Sequence, residues 1–127
     1  MTKIDDQDEI QFRQVNPCWM VDDGPSRLAF IPTKKDEGKL SLDRSATTTA
    51  KASLENFKSL GLNSDGVYGL TPQEMSENPC PVECFESPLQ NNPHHSHAEF
   101  DGLSNSQKKT KSQELRRKAL ARGKLHP

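Results

Sequence analysis

Apolar residues are scarce in this chain of 127 residues: they make up 31% of it, and aromatics only 6%. So small a supply excludes a large core and favours one small domain with polar loops. No run is long or apolar enough to cross a membrane, and the acidic start MTKIDDQDEIQ lacks the apolar segment of a secretory signal. A cytoplasmic protein without membrane contact is expected. Three cysteines are too few, and odd in number, for a disulfide framework. Internal repeats and convergent catalytic motifs are absent, and nothing in the sequence asks for a cofactor.

An overall excess of either charge is also missing, with 17 Lys/Arg against 18 Asp/Glu. The distribution is uneven, however. Residues 1–103 hold nine Lys/Arg and seventeen Asp/Glu, a balance of −8, whereas residues 104–127 hold eight Lys/Arg and only Glu114, a balance of +7. Such halves attract each other, or the basic end meets an anionic partner.

What the chain does have is concentrated in residues 10–42, which contain the only Trp and two of the five Phe. Residues 11–15 alternate as a strand that Asn16-Pro17 closes. Asp22-Asp23-Gly24-Pro25 makes a turn, and residues 27–31 read as a second strand with Leu28 and Phe30 on one face. Leu40-Ser41-Leu42 is a short third segment. Thr47 or Thr48 caps a helix over residues 48–60, with Ala50, Leu54, Phe57 and Leu60 near one face and Gly61 at its end. Residues 67–70 form a short buried strand. Thr71, Pro72 and Glu74 are three agreeing signals for a second helix over residues 72–77. HAEFD, at residues 97–101, alternates as a last strand, and Ser104 or Ser106 caps a basic helix to about Arg122.

The expected fold is therefore α+β: a small, mainly antiparallel sheet, one main helix, one short helix and a basic C-terminal helix. Residues 1–9 are expected to be disordered, residues 10–103 to form the domain around an irregular Pro-rich loop at 78–95, and residues 104–127 to be a helical tail. Phe12, Phe30 and Phe57 are expected to meet as the nucleus. The tail has few apolar positions, so it is expected to pack lightly or to order on a partner.

Three groups of residues have chemical potential. Cys80 and Cys84, followed by His94, His95 and His97, supply the thiolate and imidazole ligands that Zn²⁺ prefers, although their spacing is not the usual C-x-x-C. Arg13, Lys34, Lys35, Asp36, Glu37 and Ser41, joined by Glu99, could form an anion or nucleotide pocket with Arg13 as a fork and a carboxylate as base. Lys108, Lys109, Lys111, Arg116, Arg117 and Arg122 on the last helix could neutralise an anionic partner. That helix lacks interleaved aromatics, which disfavours base stacking. Cys18 has no evident base beside it, and Trp19 suggests packing there.

Two resemblances follow from these residues. An Arg on the first strand, a Ser on a middle one and a Glu on a late one look like the layout of ADP-ribosyl-transferring enzymes, which implies action on a nucleotide. The combination FRQVNP, LAFIPTKKDEGKLS, a Thr-rich capped helix and GVYGLTPQEM resembles a family of small bacterial proteins with no assigned activity. That likeness covers residues 12–75 and extends more loosely to HAEFD and the last helix. Where a Val-His-Pro run is expected, this chain has Asn16, so an activity that leaned on that imidazole is missing.

The expected function is binding: an accessory or regulatory subunit of a bacterial system, with the basic helix contacting a protein partner. The alternatives are an enzyme acting on a nucleotide or phosphate through Arg13, Asp36 and Glu37, and a nucleic-acid-binding accessory protein using the tail.

Overall fold

Side-chain alternation along six short strands builds one antiparallel sheet. The computed structural model describes residues 2–126. In chain order its elements are β1 (Thr2–Lys3), β2 (Gln11–Gln14), β3 (Met20–Val21), β4 (Gly24–Pro25), β5 (Lys39–Arg44), α1 (Ala50–Ser59), β6 (Val67–Leu70), α2 (Pro72–Ser76), β7 (Glu83–Glu86), β8 (His95–Glu99) and α3 (Asn105–Arg122). Short 3₁₀ turns occupy Pro17–Trp19, Arg27–Phe30 and Lys34–Asp36. The sheet order is β1-β7-β8-β5-β2-β6, and β3 and β4 form a separate ribbon. The fold is α+β, as the sequence pattern predicts.

Register divides the side chains between two faces. Leu40 opposes Ala98, which opposes Cys84; Ser41 opposes His97, which opposes Phe85. A period of two puts the first trio on one face and the second on the other. The first face carries the main core, in which Phe30, Phe100, Leu40, Leu70, Met75 and Leu115 are fully buried. Burial of a side chain such as Phe100 contributes about 1.5–3 kcal/mol relative to exposure. On the opposite face α1 packs against β2, and Leu54 joins Phe12 and Val67 in a smaller cluster. Lys39, Ser41 and Glu83 on β5 and β7 stay exposed.

Several expectations are corrected. Phe12, Phe30 and Phe57 do not form one nucleus: Phe30 lies in the main core, Phe12 under α1, and half-buried Phe57 borders a cavity. The segment expected as a second strand is the 3₁₀ turn Arg27–Phe30, in which Phe30 is buried and Leu28 is exposed. Past Pro25 the Ser26 amide still donates to the Trp19 carbonyl at 2.8 Å, and the chain then winds into the 3₁₀ turn. The acidic start, expected to be disordered, contributes β1 against β7 and plants Ile4, only 2% exposed, in the core. The Pro-rich loop at 78–95 contains β7, a four-residue strand flanked by prolines and too short to stand out by periodicity.

The last helix is not a loosely packed tail. Ser104 and Gln107 form a capping box, and Gly123 caps the other end at φ 91°. Between them Lys111, Leu115 and Ala119, four residues apart, are fully buried beside Ser112. The Lys111 stem fills core space, and its Nζ donates to the carbonyls of Glu77 at 2.9 Å and Glu74 at 3.2 Å, at the end of α2. A hydropathy pattern scores that lysine as polar and so misses the buried stripe.

Candidate functional site

The cluster expected around Arg13 assembles only in part: Asp36 and Ser41 line one cleft, Arg13 and Ser41 the cavity beside it, and Lys34 and Glu37 line neither. Arg13 is buried where β2 and β5 part, and it donates to the carbonyls of Ala29 at 2.7 Å and Ser41 at 3.0 Å. Its guanidinium lies 5.2 Å from the Trp19 ring centroid, a cation–π contact. Burial pulls its pKa down to about 10, partly opposed by Asp36. Asp36 turns back onto the Thr33 amide at 2.9 Å and hydroxyl at 2.6 Å, capping the Lys34–Asp36 turn. Glu37 is exposed in a left-handed conformation at φ 54°. The Asn16 side chain accepts from the Cys18 amide at 2.9 Å, capping the Pro17–Trp19 turn.

The zinc set is divided by the sheet. Cys84 points into the core, whereas His95 and His97 project from the other face. Burial pushes the Cys84 thiol up to about 12, which keeps it protonated near neutrality. His94 bonds the Thr47 hydroxyl at 2.9 Å. Among the described residues no three His, Cys, Asp or Glu side chains are arranged to hold a metal ion.

What the sheet does bring together is His95, His97 and Glu99 with a serine that belongs to no sequence motif. Ser87 follows β7, and its amide still bonds the His95 carbonyl at 3.0 Å. The loop beyond it is tied down by Asn92, which donates to the buried Asp43 carboxylate at 2.6 Å. Asp43 also accepts from Ser53 of α1 at 2.5 Å. His95 Nδ1 meets the Ser87 carbonyl at 3.0 Å and hydroxyl at 2.9 Å. A carbonyl only accepts, so His95 Nδ1 carries a proton. The Ser87 hydroxyl is then directed to His97 Nδ1 at 2.8 Å, and His97 Nε2 donates to Glu99 at 3.0 Å. His97 is 1% exposed and stacks on Phe85 at 5.8 Å. Burial holds His95 below its usual pKa and keeps it neutral near pH 7.

This chain of bonds borders a cleft of about 280 Å³ that Asp36, Lys39, Ser41 and Leu89 also line. Beside it, sharing Ser41, Leu89 and His95, is a cavity of about 240 Å³ edged by Phe12, Phe57, Leu60 and Leu62. Leu60, Leu62 and Leu89 are 43–48% exposed, so three of the six large apolar side chains left at the surface among the described residues edge this one cavity.

The basic helix divides into two parts. In its C-terminal half Arg116 donates to the Pro25 carbonyl at 2.8 Å and approaches Asp23, Arg117 pairs with Glu114, Lys118 with Glu77, and Arg122 with Glu74. Arg122 also donates to the Gly69 carbonyl at 2.8 Å. These cations, with buried Lys111, are spent inside the molecule. Lys108 and Lys109, at the other end, face Arg27 and Lys34 across a cleft of about 500 Å³ whose lining holds no carboxylate. None of these four has a salt bridge among the described residues. Of them, Arg27 had no mark in the sequence, because it sits in a segment read as a strand. The chain matches no protein-family model, no curated protein and no solved structure.

Proposed function

We propose that this protein is a binding module, an accessory or regulatory subunit of a bacterial, cytoplasmic system, which docks an acidic segment of a partner protein in the cleft between Arg27, Lys34, Lys108 and Lys109. One observation carries the reading: these four cations converge on an open cleft without a carboxylate, while the other cations of α3 are matched within the fold. Like charges held close around a cleft focus a positive potential and favour a ligand that brings several carboxylates. Tying the helix down at Lys111, Leu115 and Ala119 makes the site rigid before binding, which lowers the ordering cost. The cleft lining contains no aromatic ring, so it has no platform for stacking a base.

The test is fluorescence anisotropy with a labelled oligoglutamate peptide, repeated over a range of salt. Binding is expected at low ionic strength, weakening as salt rises, and lost in the double variant Lys108→Glu, Lys109→Glu. Absence of binding at low salt, or an affinity that ignores those two lysines, overturns the reading. Stronger binding of a duplex oligonucleotide through the same residues would move it to nucleic acid.

A further inference from the structure

A second site lies on the other face of the sheet and shares no lining residue with the cationic cleft. We propose that Ser87, His97 and Glu99 form a nucleophilic site that hydrolyses small carboxylic esters, with the acyl chain seated in the apolar cavity beside it. The geometry is that of a nucleophile, a base and an orienting carboxylate in one line: 2.8 Å from Ser87 Oγ to His97 Nδ1, then 3.0 Å from His97 Nε2 to Glu99. Glu99 is a positioning residue, because it acts through its hydrogen bond to the imidazole. Its carboxylate fixes the proton on Nε2 and leaves Nδ1 bare toward the serine.

In the first step Ser87 Oγ forms a bond to the ester carbonyl carbon while its proton passes to His97 Nδ1, and the carbonyl π pair moves onto oxygen. The tetrahedral species collapses by breaking the bond to the alcohol oxygen, which takes the proton from His97 and departs. Water then attacks the acyl-serine through the same imidazole, releasing the acid and restoring Ser87. Lys39 and Ser41 line the cleft and offer an ammonium and a hydroxyl to the developing oxyanion, while the Asp36 carboxylate on the same lining is engaged by the Thr33 amide and hydroxyl. Substrate class follows from the neighbouring space. A cavity of about 240 Å³ edged by exposed Leu60, Leu62 and Leu89 suits a short aliphatic or aromatic acyl group.

The full-length wild-type chain is treated with a fluorophosphonate and the adduct located by peptide mass spectrometry. An adduct on Ser87, formed in folded but not in urea-unfolded protein, is expected. No adduct, or one on another serine, overturns the proposal without any variant having to fold. Turnover provides a second reading: p-nitrophenyl butyrate is expected to be cleaved faster than the acetate. Leu60→Trp, at an exposed position that fills the cavity, lowers that ratio about tenfold. Glu99→Gln is expected to lower kcat roughly 100-fold with KM unchanged. An unchanged kcat, or a loss confined to KM, contradicts the role given to Glu99. Failure of either assay leaves the acidic-peptide binding untouched, so the two proposals stand or fall separately.

Discussion

At the scale of single residues, Lys111 behaves as a core side chain that carries a charge. Its stem is packed and its ammonium serves two carbonyls at the end of α2. Lys111→Ala removes both, and an unfolding free energy lower by about 2–4 kcal/mol is expected in urea titrations. The phenylalanines differ in the same terms. Phe30→Ala is expected to cost about 3–5 kcal/mol, and Phe57→Ala about 1 kcal/mol, because Phe57 already borders open space. Stability should also fall in acid, in two stages. Burial holds His95 below its usual 6.5, so the unfolded chain takes up that proton first and stability declines as pH drops below about 6.5. Glu9 and Glu74 respond later. Burial pushes both upward, but bonds from Arg44 and Gln11 to Glu9, and from Arg122 and Thr71 to Glu74, outweigh it and hold them below 4.5. Their contribution is present above about 4.5 and is lost as pH falls through the folded values. Thermal midpoints across pH check this, and a profile flat down to pH 4.5 would contradict the part given to His95.

Among the elements, what could be read in advance depended on whether the signal was local. The second helix carries its own start signals, and the Thr71–Glu74 capping box forms as the sequence predicts. Strands β2 and β5 were also readable, since Phe12, Leu40 and Leu42 alternate with polar neighbours. Ile4 was not: one apolar residue in an acidic run looks disordered until β7 offers it a ladder. Ile4→Ala is accordingly expected to cost about 2–4 kcal/mol, a loss that a disordered start could not produce. The turn before β5 depends on Gly38, at φ 79°, where an added Cβ would sit 2.7 Å from the Asp101 side chain. Gly38→Ala combines a left-handed strain with a clash and should lower the melting temperature more than Gly61→Ala, which has open space around it. Of the candidate site, His95, His97 and Glu99 could be named from alternation in β8. Ser87 could not, because only the fold brings a residue ten positions upstream against His97.

On the scale of the whole molecule, the separation of charge along the chain is largely answered within it. The +7 of residues 104–127 does not stand off from the −8 of the rest. The C-terminal half of α3 meets Asp23, Glu74 and Glu77, and only the N-terminal end keeps cations for something else. No described helix is long and apolar enough to cross a membrane. The most direct measurement compares oligoglutamate affinity and thermal midpoint for two charge reversals at opposite ends of α3. Lys108→Glu with Lys109→Glu should abolish peptide binding and leave the midpoint at the wild-type value. Arg122→Glu should lower the midpoint and leave the affinity intact. The reverse pattern, with Arg122 setting affinity and the lysine pair setting stability, would contradict the division of α3 into an anchoring half and a binding end.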